Sequence, residues 1–101
     1  MKTLTAPADI GAMIVRTPGI KNGSPHIAGT GVLVRTIVRL HKQGLLPEEI
    51  ASEFEHLTLA QAYAALAYYH ANHEELEAEM AEEEAEADRL EREHLQESRR
   101  R

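Results

Sequence analysis

The sequence predicts a mainly α fold with a short β element towards its N-terminal end, a compact group of three helices, and a long acidic C-terminal helix. Three observations carry this expectation. From Pro47 to His70, apolar residues recur three and four apart on either side of a tight corner. Ahead of Arg35 lie short branched runs broken by glycine and proline, the composition of strands and turns. After Pro47 there is neither proline nor glycine, so no backbone breaker stops a helix running into the tail. The expected organisation is a flexible arm over 1–12, a β-plus-helical domain over 13–73 and an acidic helical tail over 74–101.

Taken in order, Met13–Thr17 is rich in branched side chains and reads as a first strand. Asn22-Gly23 supplies the positive φ angles of a tight turn. Val32-Leu33-Val34 reads as a second strand. Two strands alone are marginal in water, so helices or a second copy must cover them. A helix is expected from Arg35 or Thr36, with Gly44 as its stop. Ile37, Leu40 and His41 share one face of it, and Arg35, Arg39 and Lys42 lie largely on another. The next helix, Glu48–Phe54, opens after Pro47, whose missing N–H would be unpaired in a first turn anyway. It places Ile50, Ala51 and Phe54 together. Thr58 and Gln61 then have the spacing of a reciprocal cap. Beyond it Leu59, Ala62, Tyr63, Leu66 and Tyr69 form a stripe, with Tyr63 and Leu66 expected inward and one of Tyr68 and Tyr69 expected to meet a partner chain. A short helix, a corner and a longer capped helix follow helix-turn-helix grammar. With the first helix they make a trihelical, homeodomain-like core.

The net charge of −6 is unevenly placed. Residues 1–47 carry six Lys and Arg against Asp9, a net of +5, and residues 48–70 carry four carboxylates with no Lys or Arg. Residues 71–101 hold twelve acids against five arginines, a net of −7. A basic head and an acidic tail suggest two kinds of partner surface. Glu75/Glu79, Glu79/Glu83, Glu82/Glu86 and Glu84/Asp88 are like-charge pairs four apart, opposed by Asp88/Arg92 and Glu97/Arg101.

Catalytic and cofactor chemistry finds little footing. With no cysteine the chain has no disulfide framework, thiolate metal site or cysteine nucleophile. His70, His73 and Glu74 could share a helix face, but no third strong ligand accompanies them and surface histidines are expected. His26 and His41 are expected at the core edge or in loops. Ser24 has no assignable histidine and carboxylate for a triad. Gly29-Thr30-Gly31 lacks the lysine of a phosphate loop and reads as a turn. The expectation is a non-enzyme with no cofactor, no metal and no small-molecule substrate. No apolar run reaches membrane-spanning length, so the chain is expected to be cytoplasmic. The modest apolar content per chain leads us to expect a homodimer.

Ile14-Val15-Arg16-Thr17-Pro18-Gly19-Ile20, Asn22 to Thr30, Val34, Gly44, Pro47-Glu48-Glu49-Ile50, Leu57-Thr58-Leu59 and Ala64 to Tyr69 together resemble the bacterial domain-of-unknown-function family numbered 433. The resemblance runs from about Ile14 to Glu75. That family usually carries a basic residue after the Gly-Thr pair, where this chain has Gly31. The resemblance implies a helix-turn-helix domain acting as the antitoxin of a type II toxin–antitoxin pair, with a PIN-like nuclease toxin as partner and operator DNA as a second one. The expected DNA-binding residues are Arg16, Lys21, Arg35, Arg39 and Lys42 for phosphates, and Thr58 and Gln61 for base edges. For the toxin they are Arg89, Arg92, Arg99, Arg100 and Arg101, whose guanidinium forks suit the carboxylates that hold Mg²⁺ in such nucleases. The Glu run 74–86 would instead suit a basic RNA-binding groove. Two other functions remain open: a stand-alone DNA-binding regulator, and an adaptor that assembles through its long charged helix.

Overall fold

The structure, a computed structural model, describes residues 7–19 and 21–99. The chain divides into two compact units, one ending at Ala71 and one beginning at Asn72.

The first unit opens with a 3-10 turn at Ile10–Met13. Of the expected arm over 1–12, residues 1–6 lie outside the described ones, and Ile10–Ala12 belong to this turn. Strand β1, Ile14–Val15, pairs antiparallel with β2, His26–Ile27, in the register Ile14 to Ile27 and Val15 to His26. The loop between them turns at Lys21–Gly23, where Asn22 (φ 58°) and Gly23 (φ 75°) take the expected left-handed angles. The second strand is therefore His26–Ile27 and not Val32–Val34. The later run contributes a single bridge, Leu33 to His26, because the chain already turns into a helix at Val34. Thr30 makes the tight turn between the two segments. Its hydroxyl donates to the Ile27 carbonyl at 2.8 Å and accepts from the Val32 N–H at 3.0 Å.

Helix α1, Val34–Lys42, begins from an extended Leu33, and the Val34 N–H donates to the Pro25 carbonyl at 2.9 Å. Gly44, at φ 102°, ends it as expected. Its buried face is Val34, Ile37 and Val38, so the expected face is turned by part of a residue step: Leu40 is half-buried and His41 exposed. Helix α2, Pro47–Glu53, has proline at its first position, and the Glu49 carboxylate accepts from the Leu46 N–H at 2.8 Å. Ile50 is its fully buried anchor. Residues 54–58 make the corner, with His56 at φ 65°.

Helix α3, Leu59–Ala71, packs against α1, α2, both strands and the opening 3-10 turn, so it is the centre of the unit. It buries Ala62, Ala64, Ala65, Leu66 and Tyr69, which meet Ile27, Val34, Ile37, Val38, Ile50 and Leu57 in one apolar core. Tyr63, expected inward, is half-exposed. In the second unit α4 runs over His73–Arg99, separated from α3 by a turn residue, Asn72. Leu76 and Met80 are its buried residues.

Candidate functional site

The cations expected to meet DNA lie around the first loop and along α1, and several are already engaged within the fold. The Arg16 guanidinium donates to the Gly23 carbonyl at 2.9 Å and to the Tyr68 hydroxyl at 3.3 Å. Lys21 is exposed in the same turn. Arg35 donates to the buried Ser24 hydroxyl at 3.0 Å. Arg16, Lys21 and Arg35 are thus brought to the Lys21–Ser24 segment from three different parts of the sequence. Arg39 and Lys42 continue the row along α1, four and three residues further on. The Lys42 ammonium lies 5.8 Å from the centroid of the Tyr69 ring, a cation–π distance. Arg35 Nε and Arg39 Nη2 are buried atoms, so these two side chains brace the fold at one end while keeping positive charge at its edge.

The two expected base-readers hold each other. The Thr58 hydroxyl accepts from the Gln61 N–H at 3.1 Å, and the Gln61 side-chain oxygen accepts from the Thr58 N–H at 2.8 Å. This is the capping box that the spacing predicts. It also restricts readout, because two-point recognition of adenine needs both the oxygen and the nitrogen of the amide. Leu59, Ala60 and Tyr63, the exposed side chains just beyond the cap, carry no charge. The Tyr63 hydroxyl donates to Glu48 Oε1 at 3.3 Å. The nearby Glu48 charge, with burial and this hydrogen bond, raises the phenol above its usual range.

On α4, Arg89 is held within its own helix by Glu86 one turn before it and by Glu93, at 3.1 Å, one turn after it. Its guanidinium is pushed up first by the hydrogen bond to Glu86, then by the charges of Glu86 and Glu93. Arg92 reaches the Asp88 carbonyl at 3.5 Å, a long contact, and Arg99 is exposed. Arg100 and Arg101 lie outside the described residues. Among the described residues no three His, Asp or Glu side chains are placed to hold a metal ion. His70 lies in the last turn of α3 with its ring 5.1 Å from that of Tyr69, while His73 and Glu74 open α4. No helix there is long and apolar enough to cross a membrane.

Tyr68, Ser24 and Glu48 were invisible as partners in the sequence. Each lies eleven or more residues from the group it meets, and nothing local marks such a pair.

Fold and surface together define a small, mainly helical module with a two-stranded β element, a trihelical core in helix-turn-helix order and an appended charged helix. Residues 14–69 match the family described as "Protein of unknown function (DUF433)", and the chain belongs to that family. It is similar to the crystal structure of a DUF433 member protein from Anabaena variabilis, at 33% identity and a TM-score of 0.65 over 69% of each chain. No curated protein matches it.

Proposed function

We propose that this protein is the antitoxin of a type II toxin–antitoxin pair and neutralises a PIN-like nuclease through protein–protein contacts made by α4. The observation that carries this reading is α4 itself. It is a 27-residue helix that lies wholly beyond the segment matching the family, and its second half is exposed throughout. A long, charged, exposed helix gains order and affinity together when a partner covers it. With Arg89 paired inside the helix, the acidic side chains dominate what α4 offers, so the nuclease surface it suits is the basic groove that holds RNA phosphates. Arg92 and Arg99 then face the edge of that groove.

The test is co-purification of the tagged full chain and of a chain lacking residues 82–101, a cut that keeps the buried Leu76 and Met80. Support is a nuclease recovered with the full chain, inhibited by it, and lost with the truncation. A full chain that recovers no nuclease, or one whose activity it leaves unchanged, refutes the reading.

The gathering of Arg16, Lys21 and Arg35 at one loop, with Arg39 and Lys42 beside it, favours a second role: salt-sensitive contact with DNA phosphates, as in autorepression. In this role the cap residues Thr58 and Gln61 set the geometry of α3 and leave base reading to other groups.

A further inference from the structure

α3 contains no Lys, Arg, Asp or Glu in its thirteen residues. Its polar groups are Gln61 in the cap, His70 near its end and the tyrosine hydroxyls, so most of its circumference is apolar, the pattern of a helix covered on more than one side. The first unit covers one side only. On the other, Leu59 is 42% and Tyr63 50% exposed, and Ala67 and Ala71 are exposed as well. These four side chains are spaced by four, so they form one continuous ridge of the kind that packs into the groove of a neighbouring helix.

Their order by size selects the occupant. The ridge reads large, large, small, small. Laid antiparallel on its own copy about a two-fold axis near residue 65, it sets Tyr63 opposite the second Ala67 and Leu59 opposite the second Ala71. Each bulky side chain then meets an alanine, which lets the two backbones approach closely, and α3 itself brings no Lys, Arg, Asp or Glu to the contact. We infer that this face of α3 is the interface of a two-fold homodimer. An unrelated partner gives no reason for a size pattern that complements itself under rotation. A nucleic-acid groove is a poor occupant too, because the ridge has no cation for phosphate. Contacts with DNA are thereby left to the α1 side of the unit, and the inference stands whether or not the antitoxin reading does.

Sedimentation of the full chain over a range of concentrations is the primary test. The wild-type chain is expected to dimerise at micromolar concentrations, and Ala67→Glu to raise the dimer dissociation constant about tenfold or more with unchanged far-UV circular dichroism. Leu59→Lys, at the outer end of the ridge, gives the same test at a second site should Ala67→Glu lower helicity. Register is read by cross-linking, which is clean in a chain without cysteine. A mixture of Tyr63→Cys and Ala67→Cys chains should form the mixed disulfide severalfold in excess of either self-linked product. A monomeric wild-type chain, a dimer indifferent to both charge variants, or disulfides without this preference each overturns the inference.

Discussion

At the scale of single residues, capping and electrostatics explain side chains that charge-and-motif reasoning assigns to recognition. Thr58 and Gln61 satisfy two N–H groups at the start of α3 that no helical carbonyl can reach. Thr58→Ala should therefore cost about 1 kcal/mol, seen as a lower urea midpoint with an unchanged slope. Gly44→Ala should cost about the same, because an alanine at φ 102° carries the strain that glycine avoids. Tyr63 gives a pH signature. Its folded-state phenol is raised by Glu48, so as pH climbs past the ordinary tyrosine range the unfolded chain loses its proton first. The Tyr63 contribution to stability is thus intact below that range and is lost as pH rises through it. Ultraviolet titration should show Tyr63 ionising above the ordinary tyrosine range, and Glu48→Gln should lower it towards that range.

At the scale of elements, the sequence marks ends better than faces. Pro47, Gly44, Asn22-Gly23 and the Thr58–Gln61 spacing act through local backbone geometry, and all appear where their chemistry places them. The inward face of α3 is legible only in part. Of the stripe Leu59, Ala62, Tyr63, Leu66 and Tyr69, the residues Ala62, Leu66 and Tyr69 are buried, while Leu59 and Tyr63 are exposed and Ala64 and Ala65 are buried in their place. Periodicity locates a face by contrast with a charged side, and α3 offers none. The second strand lies elsewhere than composition predicts, for a related reason. Val32-Leu33-Val34 has the better strand composition, but the Pro25 carbonyl and the start of α1 claim Val34, leaving His26–Ile27 to pair with β1. Tertiary context outranks propensity in a strand of two residues. α4 can be tested on its own terms. Glu82 sits one turn from Glu79 and Glu86, and Glu82→Lys replaces two repulsive neighbours by two attractive ones. With each pair contributing a few tenths of a kcal/mol, the change should stabilise α4 by roughly 0.5–1 kcal/mol at low salt. Circular dichroism should show higher helicity, a gain that shrinks as salt is added.

At the scale of the whole molecule, the separation of charge along the chain makes the two functional readings respond in opposite directions to one deletion. Removing residues 82–101 takes away eight carboxylates and five arginines, and the net charge moves from −6 to −3. The cations at Arg16, Lys21, Arg35, Arg39 and Lys42 are untouched. A duplex approaching the full chain meets the repulsion of the acidic tail as well as the attraction of this cluster, and the repulsion is long-ranged at low salt. If DNA phosphates are a ligand, fluorescence anisotropy with a labelled duplex should show the truncated chain binding more tightly, by a factor on the order of three to ten at low ionic strength. Added salt screens the tail's repulsion and should narrow that difference. Nuclease inhibition, by contrast, needs the deleted helix and should disappear. A truncation that weakens DNA binding would mean that one or more of the five deleted arginines contacts the duplex directly, and the cationic loop would then no longer account for the affinity.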